Sequence, residues 1–250
     1  MSTSSSNRPP RRILLVSLVF LVTLVVNFLL LIAYHERNMQ SFVAAFLDKQ
    51  ELMQNTPSPR IVLVGGSSVA FGFDSNQLSS LVGLPVVNLG LQGGLGLRFE
   101  LESVKPFLRE GDIVILSPEY HNIFGQLHSG EMLVQIVALY PNTLKYFSTG
   151  NEFWQLIRAF TAVHTGAIRN MLEDLKLRHC LVCANREPIY YRAAFDKATG
   201  DVIINEAVAK RDIPLELNLP FNVESKEFSE SINLMNSFAR DAAANKITVF

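Results

Sequence analysis

The composition of the chain sets the first limits on its function. The chain has 250 residues, of which 48% are hydrophobic and only 18% are charged, and its formal net charge is −1. It is too apolar to be disordered, and it lacks the basic excess that a protein acting mainly on nucleic acid uses to neutralise phosphates. Its two cysteines are too few for a disulfide framework.

The N-terminal segment predicts a membrane anchor. Residues 13–33 contain no charged side chain, and a helix of this length spans the roughly 30 Å hydrocarbon core of a bilayer. Arg8, Arg11 and Arg12 precede it, which predicts a cytoplasmic tail (1–12), a signal anchor (13–34) and an extracytoplasmic remainder. A cleaved signal peptide has a shorter apolar core and a small-residue cleavage site, so we favour the anchor. A buried helix of a soluble core is the weakest alternative.

The remainder predicts one α/β domain. Residues 35–59 read as an amphipathic juxtamembrane helix or stalk, which we expect to lie against the domain at 60–250. Short apolar runs at 61–64, 85–89 and 113–116 predict three strands, of which the first is buried on both faces and the third is also buried, and helical patterns separate them. This alternation predicts crossover units and a parallel sheet.

The later part of the domain changes character. Residues 120–208 are mostly helical in pattern and predict an insertion at one end of the sheet. Residues 194–204 predict a small hairpin or an irregular loop. An amphipathic helix at 229–245 and a strand at 247–250 return to the sheet pattern.

Three strand ends carry the residues suited to chemistry. Ligands of open parallel sheets bind beyond the carboxyl ends of the strands, where the loops 65–68, 90–96 and 117–122 should meet. Ser67, between a strand and a helix, is well placed as a nucleophile, with backbone N–H groups nearby to stabilise an oxyanion. Ser67 as a plain helix cap is the competing interpretation. The glycines at 90–96 lack the spacing of a dinucleotide loop, and no lysine follows Gly66 as a P-loop requires.

These blocks resemble the SGNH (GDSL-like) hydrolase superfamily. In that family a first strand runs into Gly-Asp-Ser and a second into Asn-x-Gly-x-x-Gly, where this chain has Gly65-Gly66-Ser67 and a loop from Asn88 to Gly93. The family's third block, Gly-x-Asn-Asp, is replaced by Ser-Pro-Glu-Tyr-His-Asn at 117–122. That form looks more like membrane-anchored members that assist acyl transfer to cell-envelope polymers. The resemblance implies a flavodoxin-like three-layer domain.

The resemblance also implies roles for individual residues. Ser67 would be the nucleophile, and the N–H groups of Gly93 and Ser67 would donate to the oxyanion. His121 or Asn122 would replace the third-block asparagine. From its position at the end of the third strand, and not from the resemblance, Glu119 is expected to bind substrate or orient a histidine. Residues expected to bind substrate are Gly66, Ser68, Asn88 and Gln92.

The family's catalytic base has no counterpart in this chain. The Asp-x-x-His element expected near the C-terminus is absent, so we expect either that the sequence continues past Phe250 or that the protein lacks the usual base. His121 and His128 follow the third strand, and either is a candidate substitute base. His35, His164 and His179 are expected to be structural or interfacial.

The sequence predicts neither a cofactor nor a metal. Cys180 and Cys183 form a lone C-x-x-C pair, for which ordinary thiols or a local disulfide are better interpretations than a metal site.

The expected function is that of an SGNH-type serine esterase or O-acyltransferase in the bacterial inner membrane, facing outward. It would act on an envelope or secreted polysaccharide through an acyl-serine intermediate. The alternative is a non-catalytic subunit of a multispanning membrane acyltransferase or of a glycan-export system.

Overall fold

The computed structural model describes residue 13 and residues 15–23, 25–26, 39–124, 130–146, 154, 191–203 and 223–250. Several residues singled out above lie outside this set: His35, His128, His164, His179, Cys180 and Cys183. Most of the predicted insertion at 120–208 also lies outside the described residues.

A parallel sheet forms the centre of the described domain. Its strands are β1 (Ile61–Gly65), β2 (Val86–Asn88), β3 (Ile113–Ser117) and β4 (Thr248–Val249). They lie in the order β2-β1-β3-β4, and every neighbouring pair is parallel. The predicted α/β class is confirmed, and the strand order is compatible with a flavodoxin-like fold.

Seven α-helices of the described residues follow or precede these strands. They are α1 (Phe46–Asn55), α2 (Ser67–Gly72), α3 (Ser75–Val82), α4 (Leu97–Val104), α5 (Tyr120–Ile123), α6 (Gly130–Leu139) and α7 (Lys226–Ala244). Helix α4 ends at Val104, and the segment Lys105–Phe107 continues as a 3-10 turn. The reason is Pro106, which lacks an N–H and cannot occupy the interior of an α-helix.

Helices cover both faces of the sheet. Along β1, Val62 and Val64 point into a core cluster shared with α4 and α7, whereas Ile61 and Leu63 point into a second cluster with α2 and α3. This division follows from the two-residue period of a strand, which sends successive side chains to opposite faces. The uninterrupted apolar run of β1 therefore reflects burial on both sides.

The segment that precedes β1 lies against the domain. A 3-10 turn (Phe42–Ala45) leads into α1, and Phe42, Phe46 and Met53 are buried in the core clusters. The residues predicted as a juxtamembrane stalk therefore contribute apolar side chains to the interior of the domain.

A buried ion pair joins the amino ends of β1 and β3. Arg60 and Asp112 are both almost fully buried, and Nη2 of Arg60 lies 3.2 Å from Oδ2 of Asp112. The same guanidinium donates to the carbonyl oxygens of Met53, Thr56 and Phe107. These bonds fix the end of α1 and the turn after α4 to the sheet, because a buried arginine must satisfy its donors within the protein.

The described N-terminal residues are helical and exposed. Residues 15–23 and 25–26 form helix, and large apolar side chains such as Leu15 and Phe20 are more than half exposed. Within the described residues, no helix combines the length and the hydropathy needed to cross a bilayer.

Candidate functional site

The first and third strand ends bring Ser67 and Glu119 into direct contact. Ser67 is the first residue of α2, two residues after β1 ends, and Glu119 lies two residues after β3 ends. The Oγ of Ser67 donates a hydrogen bond of 2.6 Å to Oε1 of Glu119. The backbone N–H of Ser68 donates to the same oxygen at 3.2 Å. A hydroxyl bound to a carboxylate at this distance is a short, charge-assisted hydrogen bond.

Two glycines make room for the Glu119 carboxyl group. A Cβ atom added at Gly93 would overlap this group and lie 2.5 Å from its Cδ. A Cβ atom at Gly66 would lie 2.6 Å from Oε1 of Glu119 and 2.7 Å from the backbone nitrogen of Gly93. Both contacts are closer than real Cβ atoms tolerate, so the arrangement depends on glycine at these positions. The loops at 65–68 and 90–96 thus meet around one carboxyl group.

The remaining residues predicted for substrate binding lie in different surroundings. Asn88 is fully buried; its Nδ2 donates to the carbonyl oxygen of Val69 and to Asp201, and its Oδ1 accepts from the N–H of Gly90. These bonds hold the loop after β2 against α2. Gln92 is half-buried beside Gly93, and Ser68 is exposed.

The two candidate replacements for the third-block asparagine point in different directions. Asn122 is buried, and its Nδ2 donates to Oε1 of Glu100 at 3.0 Å. His121 is exposed on α5. The residue of the third block that contacts Ser67 is therefore Glu119, which the sequence interpretation assigned to substrate binding or to orienting a histidine.

Glu100 is a buried acid next to the site. It is only 8% exposed, and among the described residues its Oε2 has no hydrogen-bond partner. Burial and the charge of Glu119 raise the pKa of Glu100 from 4.5 to about 8, while the hydrogen bond from Asn122 acts in the opposite direction. A pKa of about 8 keeps Glu100 mostly protonated at neutral pH.

Lys49 is a second buried ionisable group behind the loops. Its Nζ donates to the carbonyl oxygens of Asn88 (2.8 Å) and Gly200 (2.6 Å), and it lies 4.3 Å from the ring centroid of Phe195. Burial lowers the pKa of Lys49 from 10.5 to about 7, although Asp201 and Asp48 oppose this change. Through its two hydrogen bonds, Lys49 links α1 to the end of β2 and to the segment at Gly200.

A small cavity joins these two groups. It measures about 40 Å³ and is lined by Lys49, Gly65, Gln92, Phe99 and Glu100 together with other, mainly apolar, side chains. This volume suits a water molecule or a group of methyl size rather than a long chain.

Sequence reasoning missed both Glu100 and Lys49, although a signal for each was present. Glu100 lies three residues after Leu97 and four before Val104, on the apolar face of α4. Lys49 lies three residues after Phe46 and four before Met53, on the buried face of α1. A charged residue at helical spacing within an apolar stripe marks a buried polar group. Asp201, the partner of Asn88, gave no such signal.

The contact between Ser67 and Glu119 defines the chemistry of this site. In the described ranges, no group of three His, Cys, Asp or Glu side chains is placed to hold a metal ion. Comparison with family models, with curated proteins and with solved structures found no match. The site consists of a serine hydroxyl, a carboxyl group that accepts its hydrogen bond, and two glycine-containing loops around them.

Proposed function

We propose that this protein is a membrane-anchored, extracytoplasmic serine esterase or O-acyltransferase of the SGNH type. It would add or remove an ester, in the simplest case acetyl, on an envelope or secreted polysaccharide. The observation that carries this proposal is the hydrogen bond from Ser67 Oγ to Glu119 at the carboxyl edge of a parallel sheet. Ser67 is half-buried rather than enclosed in the core.

The proposed reaction uses Glu119 in place of the histidine that is expected from the family. Oγ of Ser67 attacks the carbonyl carbon of the ester, and its proton passes to Oε1 of Glu119 as the new C–O bond forms. The tetrahedral intermediate collapses, the bond to the leaving alcohol breaks, and Glu119 returns the proton to that alcohol. The product is an acyl-Ser67 intermediate and a free alcohol.

The second half-reaction restores the enzyme. Water, in an esterase, or an acceptor hydroxyl, in a transferase, attacks the acyl carbon and gives its proton to Glu119. The bond to Ser67 Oγ then breaks, and Oγ takes the proton back. Because a carboxylate is a weaker base than an imidazole, we expect the highest rates on activated esters.

The N-terminal segment supports the membrane part of the proposal. Residues 13–33 carry no charge, and the described helical residues among them expose their apolar side chains. Extraction of membranes with alkaline carbonate tests it: an anchored chain stays with the bilayer, whereas a chain that is only adsorbed is released.

Covalent labelling tests the catalytic part. A fluorophosphonate probe should label the full chain in detergent, and Ser67→Ala should abolish labelling because the attacking oxygen is lost. Ser80→Ala, at an exposed position of α3, is the matched control, because this hydroxyl bonds only within its own helix, and labelling of this variant should stay within about twofold of the wild type. Glu119→Gln should slow labelling by about 10²- to 10⁴-fold, the usual contribution of a general base. If the folded wild-type chain does not label, the esterase proposal fails.

One observation favours a second candidate, a non-catalytic subunit of a membrane acyltransferase. The Glu119 carboxyl group fills the space between Gly66 and Gly93 and accepts from Ser67 and Ser68, so these donors are engaged with the protein itself. A binding subunit should fail to label with the probe and should co-purify with a multispanning membrane protein. Co-purification that survives Ser67→Ala, together with an absence of labelling in the wild type, would favour this candidate.

A further inference from the structure

Asn122 stabilises the turn between β3 and α5 that carries Glu119. The backbone N–H of Asn122 donates to the carbonyl oxygen of Glu119 at 2.8 Å, which closes the first turn of α5. The carbonyl oxygen of Asn122 accepts from Oγ of Ser231 on α7 at 3.1 Å. Its side chain donates to Glu100 on α4. Three helices therefore meet at Asn122, directly behind the carboxylate that contacts the serine.

Glu100 is unusual among the partners of this turn. A neutral side chain would accept the Asn122 hydrogen bond at a lower cost of burial, since a carboxyl group without a full set of partners is expensive to bury. The Oε2 of Glu100 has no partner among the described residues, and Glu100 is one of the residues that line the small cavity behind the site. A buried carboxyl group with one unpartnered oxygen is costly, so we infer that Glu100 has a function besides packing.

We propose that Glu100 is a positioning residue for the Ser67–Glu119 pair. It fixes the Glu119 turn through Asn122, and it keeps a proton of its own so that Glu119 alone carries the negative charge that faces the serine. This inference rests on the proposed function, in which Glu119 accepts the Ser67 proton.

The charges around Glu100 agree with this role. Glu119, which follows β3, raises the pKa of Glu100, and burial raises it further. Lys49 on α1 borders the same cavity, and burial lowers its pKa to about 7. When Glu100 loses its proton, a second negative charge lies beside Glu119, and this charge favours transfer of the Ser67 proton onto the pair of carboxyl groups as the pH rises past the pKa of Glu100.

The kinetic test is the pH dependence of fluorophosphonate labelling at Ser67 in the full chain. Between pH 7 and 9, the labelling rate of the wild type should rise by about threefold or more relative to the labelling rate of the Glu100→Gln variant. Glu100→Gln preserves the acceptor for Asn122 and removes the titration, so this variant should lose the additional rise. Because Lys49 titrates in the same range and is present in both proteins, the comparison isolates Glu100. A rise that persists in Glu100→Gln would overturn the proposal.

A spectroscopic test separates this proposal from the esterase proposal. In protein labelled with ¹³C at the glutamate carboxyl groups, one NMR signal should titrate near pH 8, vanish in Glu100→Gln, and move to a lower pKa in Glu119→Gln. This result is independent of whether Ser67 reacts with any probe. If Glu119→Gln leaves that titration unchanged, or if no glutamate titrates above pH 6, Glu100 does not work with Glu119 and the inference is wrong.

Discussion

Glu100→Gln should make the protein more stable, and the gain should grow as the pH rises. In the folded state burial keeps the proton on Glu100 up to about pH 8, whereas the unfolded chain loses it at the ordinary pKa of 4.5. Between these values the unfolded state binds fewer protons than the folded state, so the free energy of unfolding of the wild type falls as the pH rises. The stability that Glu100 contributes is complete below pH 4.5 and is lost as the pH approaches 8.

The magnitude follows from the difference between the two pKa values. One pKa unit corresponds to 1.36 kcal/mol, so the full loss by pH 8 is about 5 kcal/mol. Over the narrower window from pH 4.5 to about pH 6.5, the change is about 2 to 3 kcal/mol. This window lies below the pKa of about 7 of Lys49, whose titration affects stability in the opposite direction at higher pH. Gln has no proton to lose, so the variant lacks this part of the pH dependence.

The assay is chemical denaturation of both proteins followed by circular dichroism at several pH values across that window. The measured quantity is the difference between the free energies of unfolding of the variant and the wild type. Glu51→Gln, at an exposed position of α1, is the control for removing one carboxylate, and its difference should remain within about 0.5 kcal/mol. A difference for Glu100→Gln that does not change with pH would refute the reasoning that burial holds the proton on this residue.

Two further substitutions test the packing of the site and of the sheet. Gly93→Ala should displace the Glu119 carboxyl group and slow fluorophosphonate labelling by about 10²-fold or more. Gly72→Ala, where an added Cβ meets no described atom within 4 Å, should leave the rate unchanged, and equal rates for the two variants would contradict the proposed crowding. Asp112→Leu should cost about 3–5 kcal/mol in denaturation because it leaves the Arg60 guanidinium buried without its partner. The double variant Arg60→Met/Asp112→Leu should recover most of this loss, and a single-variant cost below about 1 kcal/mol would show that the ion pair is not truly buried.

The sequence pattern was sufficient to predict the strands of the sheet, because a strand is recognised by the local periodicity of its own residues. Short β-branched runs separated by helical stripes predicted β1, β2 and β3, and the late helix and strand appear as α7 and β4. The continuous apolar run of β1 also predicted burial on both faces, which the two core clusters confirm. The order of the strands in the sheet was not predicted, because the residues of one strand do not show which distant strand pairs with it.

The site was predicted only in part. Ser67, Gly66 and Gly93 were recognised because strand ends of a parallel sheet converge and because glycines there permit a close approach. The choice of Glu119 over His121 and Asn122 required the structure, since all three follow the same strand within four residues. In α5 Asn122 is buried and His121 is exposed, and the carbonyl oxygen of Asn122 accepts from Ser231 of α7.

The sequence by itself determined the class of the fold, the apolar N-terminal segment and the serine at the end of β1. These properties follow from composition and from the spacing of neighbouring residues. Only the tertiary structure decided which acid contacts that serine and which acid stays neutral behind it. The pKa of Glu100, on α4, depends on its burial in the assembled domain, on the charge of Glu119 beyond β3 and on a hydrogen bond from α5. No segment of the chain contains all three, because they meet only when the sheet and its helices are assembled.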